Sequence, residues 1–414
     1  MKVTDVFTPN KLPEVTFIDD HLKDKTKYLR EALLSGAGVI SLSGPSKAGK
    51  TVFIEKTIGR DRLLQVTGAG VDSSKKLWDR VFDLIGTPNK VTEASATAAS
   101  GTLSGKAEMG VPMFAKAEGA ASGTFGKTDT KSQEYIPDYL NLLIDELGKT
   151  EFVVFIDDFH YIQRDVQTRI SQEIKEAVRG EVTFITASVP YHSDDVLRGN
   201  ADLRGRIFSI DFDYWDSAEL RKIADRGFEA LCVQVTDAVL SALADEAAGS
   251  PQLMQSLCLN LCFEAGIYER QDTPTQLSGD LSLVERVCTR TAASTDYSST
   301  VAKMKDGPKT RGTSRAAHKL SDGSIRDVYP IILFAIASNP PERTIRYANL
   351  QGRIASVCPE GGPSGSSITG ACAHMSGIAN DAENRVIVEW DVENEVLDIR
   401  DPYLLFFLRW GDWK

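Results

Sequence analysis

The feature that most constrains this chain is the octapeptide Gly44-Pro-Ser-Lys-Ala-Gly-Lys-Thr51, set directly behind the short apolar run Val39–Leu42. It fits the pattern GxxxxGK[ST]. Glycines let a backbone wrap closely, so that successive N–H groups point inward at an anion. The loop opens a predicted helix from about Thr51 to Ile58, whose N-terminal dipole favours negative charge. A strand, a glycine loop and a helix in that order form the context in which this pattern cradles phosphates. Gly44, Pro45, Ser46, Lys47, Ala48, Gly49, Lys50 and Thr51 are therefore the expected nucleotide-binding set. Lys50 is expected to reach the β- and γ-phosphates, and the Thr51 hydroxyl to ligate Mg²⁺. ATP and Mg²⁺ are the expected ligands.

A second motif agrees with the first. Phe152-Val-Val-Phe-Ile-Asp157-Asp158 reads as a buried strand ending in two carboxylates. Asp157 is expected to hold the Mg²⁺ ion, and Asp158 to orient the attacking water or accept its proton. An ordinary strand end with acidic loop residues would look the same in isolation. Downstream, Val182–Ser188 is a candidate sensor strand, with Thr186 or Ser188 at the γ-phosphate side. Arg206, or Arg204 beside it, precedes the apolar segment Ile207–Phe212 and is a candidate catalytic arginine for a neighbouring subunit's nucleotide. Gly249-Ser-Pro251 opens an apolar helix, and Pro251 is expected near the base or ribose.

The rest of the chain alternates apolar strands with amphipathic helices, which implies a parallel sheet covered on both faces. Helices are expected over 21–35, 51–58, 75–85, 135–148 and 166–178. Strands are expected over 39–42, 63–67, 152–156, 182–187 and 207–212. Residues 90–133 are rich in Gly, Ala, Ser and Thr and read as an insertion, expected to be a projecting β-hairpin that contacts a neighbouring subunit or partner. From Ser217 three helices follow, over 217–231, 236–247 and 251–265. The polar, locally basic stretch 291–326 reads as a linker. Three short helices, two strands and a terminal helix then give a winged-helix order. The expected architecture is an α/β P-loop NTPase core with a parallel sheet (1–215), a helical lid (216–290), the linker and a C-terminal winged-helix domain (327–414).

The 414 residues carry a formal charge of −11. That balance gives no global attraction to nucleic acid or anionic lipid. No apolar run is long enough to span a membrane, and the six cysteines form no CxxC pair, so a reducing cytoplasm is the expected setting.

Taken together, residues 15–265 resemble the AAA+ and STAND branch of P-loop ATPases. Val15-Thr-Phe-Ile-Asp-Asp20 is similar to the adenine-contacting segment of that branch, which implies Phe17 and Ile18 at the base. Arg204–Leu231 resembles origin-recognition ATPases. Asp157-Asp158 and Gly249-Ser-Pro251 resemble STAND proteins, as does the ending Asp401-Pro-Tyr-Leu-Leu-Phe-Phe407. The resemblance implies a slowly hydrolysing switch that forms a homo-oligomer with ATP. The expected function is control of a separate effector protein, with antiviral defence as one setting, since the chain shows no effector constellation of its own. The alternative is a DNA-binding ATPase of origin-recognition or transposition-regulator type. Against that alternative, the recognition-helix candidate Ser367–Ile378 contains no Lys or Arg, and DNA affinity requires cations.

Overall fold

A computed structural model describes residues 1–87, 138–189, 207–277, 280–309, 312, 314–383 and 385–414. The expected insertion 90–133 and both Arg204 and Arg206 lie outside the described residues.

Five parallel strands form the first layer: β1 (Val39–Ser43), β2 (Leu63–Thr67), β3 (Val153–Asp157), β4 (Thr183–Ser188) and β5 (Ile207–Asp211). Their spatial order is β2-β3-β4-β1-β5. Thus β4 separates the strand that feeds the octapeptide from the strand that ends in Asp157. Side chains alternate across a strand, and here both faces are buried. Ile40, Leu42, Phe155 and Ile185 pack on one side against Leu29, Phe53 and Ile54. Those partners come from α2 (Lys23–Leu34) and α3 (Lys50–Ile58). Val39, Val154, Ile156 and Phe184 pack on the other side against Trp78, Phe82, Ile170 and Ile174. These belong to α4 (Ser74–Ile85) and α6 (Arg164–Arg179), with α5 (Tyr139–Leu147) alongside. Full burial of each such side chain contributes about 1.5–3 kcal/mol, which explains the apolar residues on both faces of the central strands.

A second core holds α7 (Ser217–Leu231), α8 (Asp237–Glu246), α9 (Pro251–Glu264) and α10 (Leu281–Ala292), with a two-stranded pairing of β6 (Val233–Val235) and β7 (Thr275–Leu277). The N-terminal turn α1 (Val3–Val6) and Phe7 are buried in it. Phe7 lies 5.0 Å from Phe228, ring to ring. Gly227 makes this approach feasible, because a Cβ there would lie 2.2 Å from the Phe7 ring.

The third core corrects one expectation. The stretch 291–326 is not a bare linker. It contains α11 (Ser298–Asp306) and a hairpin of β8 (His318–Lys319) and β9 (Ile325–Arg326). Tyr297, Val301, Met304 and Leu320 are buried with the C-terminal helices. Those elements run α12 (Val328–Ile336), β10 (Thr344–Arg346), α13 (Tyr347–Val357), α14 (Gly365–Glu383), β11 (Val388–Asp391), β12 (Val396–Ile399) and α15 (Pro402–Trp410). The sheet order β10-β12-β11 completes a winged helix. Its first strand, β10, is additional to the two strands expected in this domain. Phe406 of α15 sits in the second core and Phe407 in the third, so one helix is shared between them. Among the described residues no helix is long and apolar enough to cross a membrane.

Candidate nucleotide site

The octapeptide turns from the end of β1 into the start of α3. Two glycines fix its path. Gly49 sits at φ 92° as the N-cap of α3, a left-handed conformation that glycine adopts without a Cβ penalty. At Gly44, a Cβ would lie 2.5 Å from the Cβ of Phe212. Beyond these, Trp215 Nε1 donates to the Ala48 carbonyl at 3.2 Å and ties the loop to the chain leaving β5.

The loop borders a cavity of about 580 Å³, within the range typical of small-molecule sites. At one end it is lined by Lys47, Gly49, Lys50, Thr51, Asp157 and Asp158. At the other end stand Phe17, Ile18 and Pro251, together with Thr8–Pro13, Gln252 and Gln255. The Gln255 side chain accepts from Thr8 N at 3.1 Å and donates to Thr16 Oγ1 at 2.6 Å. Gln252 Nε2 donates to the Pro9 carbonyl at 3.0 Å. Two glutamines of α9 therefore clamp the N-terminal segment over the cavity.

The charged end is tightly organised. Thr51 Oγ1 donates to Asp157 Oδ2 at 2.6 Å, and Asp158 N donates to Asp157 Oδ1 at 2.9 Å. A hydroxyl and a carboxylate at this spacing are hard oxygen donors, the type that suits Mg²⁺ when phosphate oxygens supply further ligands. Lys50 Nζ donates to the carbonyls of Gly44 and Pro45, both at 2.7 Å. Burial pulls the Lys50 ammonium down to about 8, with Asp157 and Asp158 acting in the opposite sense. Burial, reinforced by the neighbouring Asp157 charge, pushes Asp158 up to about 6. Asp158 also holds φ 55°, a left-handed conformation that aspartate tolerates better than most residues. A half-buried carboxyl poised near neutrality beside a candidate metal ligand is suited to general-base work.

Two expectations fare differently. Thr186 and Ser188 are buried within β4 and do not line the cavity; Val189, just past the strand, does. Trp215, Gln252 and Gln255 are the site residues that sequence reasoning missed. Their signal is weak: glutamines spaced i, i+3 behind Pro251 on a helix face otherwise built of apolar residues.

Solved structures of other proteins resemble this chain over nearly its whole length. A Walker-type ATPase of Pyrococcus abyssi superposes with a TM-score of 0.51 at 13% identity, covering 95% of this chain and 96% of that one. The ORC2 protein of Aeropyrum pernix, solved in ADPNP-ADP complexes, gives 0.50 at 14% identity, covering 98% and 96%. The chain has the AAA+ fold. The alignment runs through the lid and the winged helix as well as the AAA+ core, as those coverages require. No protein-family model matches the chain, and no curated protein sequence does.

Proposed function

We propose that this AAA+ protein binds ATP with Mg²⁺ between its sheet, its lid and its winged helix, hydrolyses it slowly, and uses the nucleotide as a conformational switch. The observation that carries this reading is the Thr51–Asp157 bond at 2.6 Å, which joins the two motifs at one point beneath the cavity. Gly44–Thr51 holds the phosphates. Thr51 and Asp157 hold the metal, and Asp158 positions or deprotonates the water. Phe17, Ile18 and Pro251 enclose the base. Bound Mg²⁺ supplies charge neutralisation of the phosphates. Arg206, or Arg204, serves a neighbouring copy in an ATP-dependent homo-oligomer. The test is equilibrium binding of a fluorescent ATP analogue with and without Mg²⁺. Wild type should bind tightly only with the metal, and Lys50→Ala should bind at least tenfold more weakly. Equal binding by both proteins refutes the site.

Two targets compete for the switch. The resemblance of Arg204–Leu231 to origin-recognition ATPases, in a chain that shares its fold with the Aeropyrum pernix ORC2 protein, supports duplex DNA, and we give that reading precedence. The charge pattern limits where DNA is met. Helix α14 carries no Lys or Arg. Its His374 Nδ1 is 3.1 Å from the Tyr329 hydroxyl, and the wing bears Glu389, Asp391, Glu393 and Glu395. In the basic stretch, Lys305, Arg315 and Lys319 already pair with Trp413 O, Asp327 and Glu360. A separate effector protein, in antiviral defence or elsewhere, is the second reading, and the acidic winged helix supports it. Duplex binding in 50 mM salt separates them: a salt-sensitive complex supports DNA, and none at any protein concentration supports an effector.

A further inference from the structure

The winged helix touches the phosphate loop through one buried carboxylate. Asp401 is 1% exposed and caps α15, accepting from Tyr403 N through Oδ1 at 2.8 Å. Lys47 Nζ lies 3.5 Å from the same oxygen and 3.7 Å from the centroid of the Tyr403 ring. On the other oxygen, Arg385 Nη2 stands at 2.6 Å and the Tyr297 hydroxyl donates at 2.8 Å. Arg385 Nη2 also donates to the Tyr297 oxygen at 2.6 Å.

Burial alone would push this carboxyl up. Lys47 and Arg385 outweigh it and hold Asp401 below the usual carboxylate range. A buried anion of this kind is stable only while its cations remain. One of those cations, Lys47, belongs to the octapeptide, and its backbone at φ 63° is part of the loop's own curvature. The other, Arg385, acts electrostatically on Tyr161 and Asp158 as well. Lys47 is thus the cation that joins the octapeptide to the winged helix, and it lines the cavity; Arg385 belongs to the winged helix itself and holds Asp401 from the other side.

We infer that Asp401 is an internal anion that latches the winged helix onto the phosphate loop through Lys47, with Arg385 holding the carboxylate in place, and that nucleotide polyphosphate competes with it for Lys47. The competition rests on the nucleotide reading above; the latch itself does not. Binding and unlatching are then linked, each favouring the other by the same factor. A triphosphate carries more charge than a diphosphate and unlatches more.

Asp401→Asn tests this. Asparagine keeps the shape and the helix cap and removes the charge. Two quantities are measured on the full chain: affinity for a ribose-labelled ATP with Mg²⁺, and radius of gyration by small-angle X-ray scattering without nucleotide. We expect roughly tenfold tighter binding, about 1.4 kcal/mol of coupling, and a larger radius than wild type. Lys47→Met, on the surface side of the contact, should expand the molecule in the same way, which guards against a folding defect in the first variant. Unchanged affinity and radius in Asp401→Asn overturn the proposal. Expansion of both variants in a protein that binds no nucleotide keeps the latch and removes the competition.

Discussion

Glu246 and Arg409 offer a stringent test of how the lid and winged helix are joined. They form a two-pronged ion pair between α8 and α15, with Nη2 to Oε1 at 2.5 Å and Nε to Oε2 at 2.8 Å. The residues are 8% and 9% exposed. Trp410 Nε1 donates to the same carboxylate at 2.6 Å. The guanidinium also donates to the carbonyls of Ala337 and Ser338, each at 2.9 Å, and to Asn339 Oδ1 at 2.6 Å. Glu246→Ala leaves a buried guanidinium without its anion and a buried indole N–H without its acceptor. Removing one half of a buried pair costs about 3–5 kcal/mol. For a cooperative unit of about 150–250 residues, each kcal/mol shifts Tm by roughly 2–4 °C. The expected drop is therefore about 6–20 °C in differential scanning calorimetry. Glu246→Gln keeps the volume and an acceptor for Trp410, so it should fall less. A Glu246→Ala protein melting within about 2 °C of wild type would refute the reasoning, because the pair would then be no more than a surface contact.

Other consequences are more local. Asp157→Asn should cost roughly 10–100-fold in Mg²⁺-dependent nucleotide affinity while leaving metal-free binding nearly unchanged, read by titration with and without chelator. Burial pushes the thiols of Cys262 and Cys372 up to about 12 and that of Cys258 well above its usual value. Thiol labelling of the native protein at pH 8 should accordingly be fast only at half-exposed Cys232, and labelling of all six in urea but only that one in buffer is the expected mass-spectrometric pattern. Because the folded Asp401 carboxyl is held below its ordinary value, its contribution is complete above a pH of about 4 and is lost only as pH falls through that lowered value. The radius of gyration should stay constant from pH 7 to pH 5; expansion within that window would show that the carboxyl is not so held.

The parts of the fold that were legible in the sequence are those fixed by local pattern. Gly44–Thr51 carries its conformation in its own glycines, and the central strands β1, β3 and β4 announce themselves because they are buried between two layers; the edge strands β2 and β5 show exposed polar residues on one face instead. The lid helices were readable from their helix-length apolar content, and Pro251 marks the start of one of them. Misreadings occurred where distant partners decide. Helix α11 (SSTVAKMKD) looks like a solvated segment, yet Val301 and Met304 are buried because α14 and α12 meet them. Strand β10 has three residues, too few for an alternation to show, and exists through its pairing of Ile345 with Leu397. The contact of Lys47 with Asp401 joins opposite ends of the chain, and no spacing rule relates them. No pattern within a strand tells a hydroxyl that faces a ligand from one that is simply buried, and Thr186 Oγ1 is buried with no hydrogen-bond partner among the described residues.

Native mass by light scattering, with ADP and with a slowly hydrolysed ATP analogue, tests the switch most directly. Wild type and Lys50→Ala are compared side by side. The account predicts a larger assembly for wild type with the ATP analogue alone, and none for Lys50→Ala. A single mass for wild type under every nucleotide condition would contradict it.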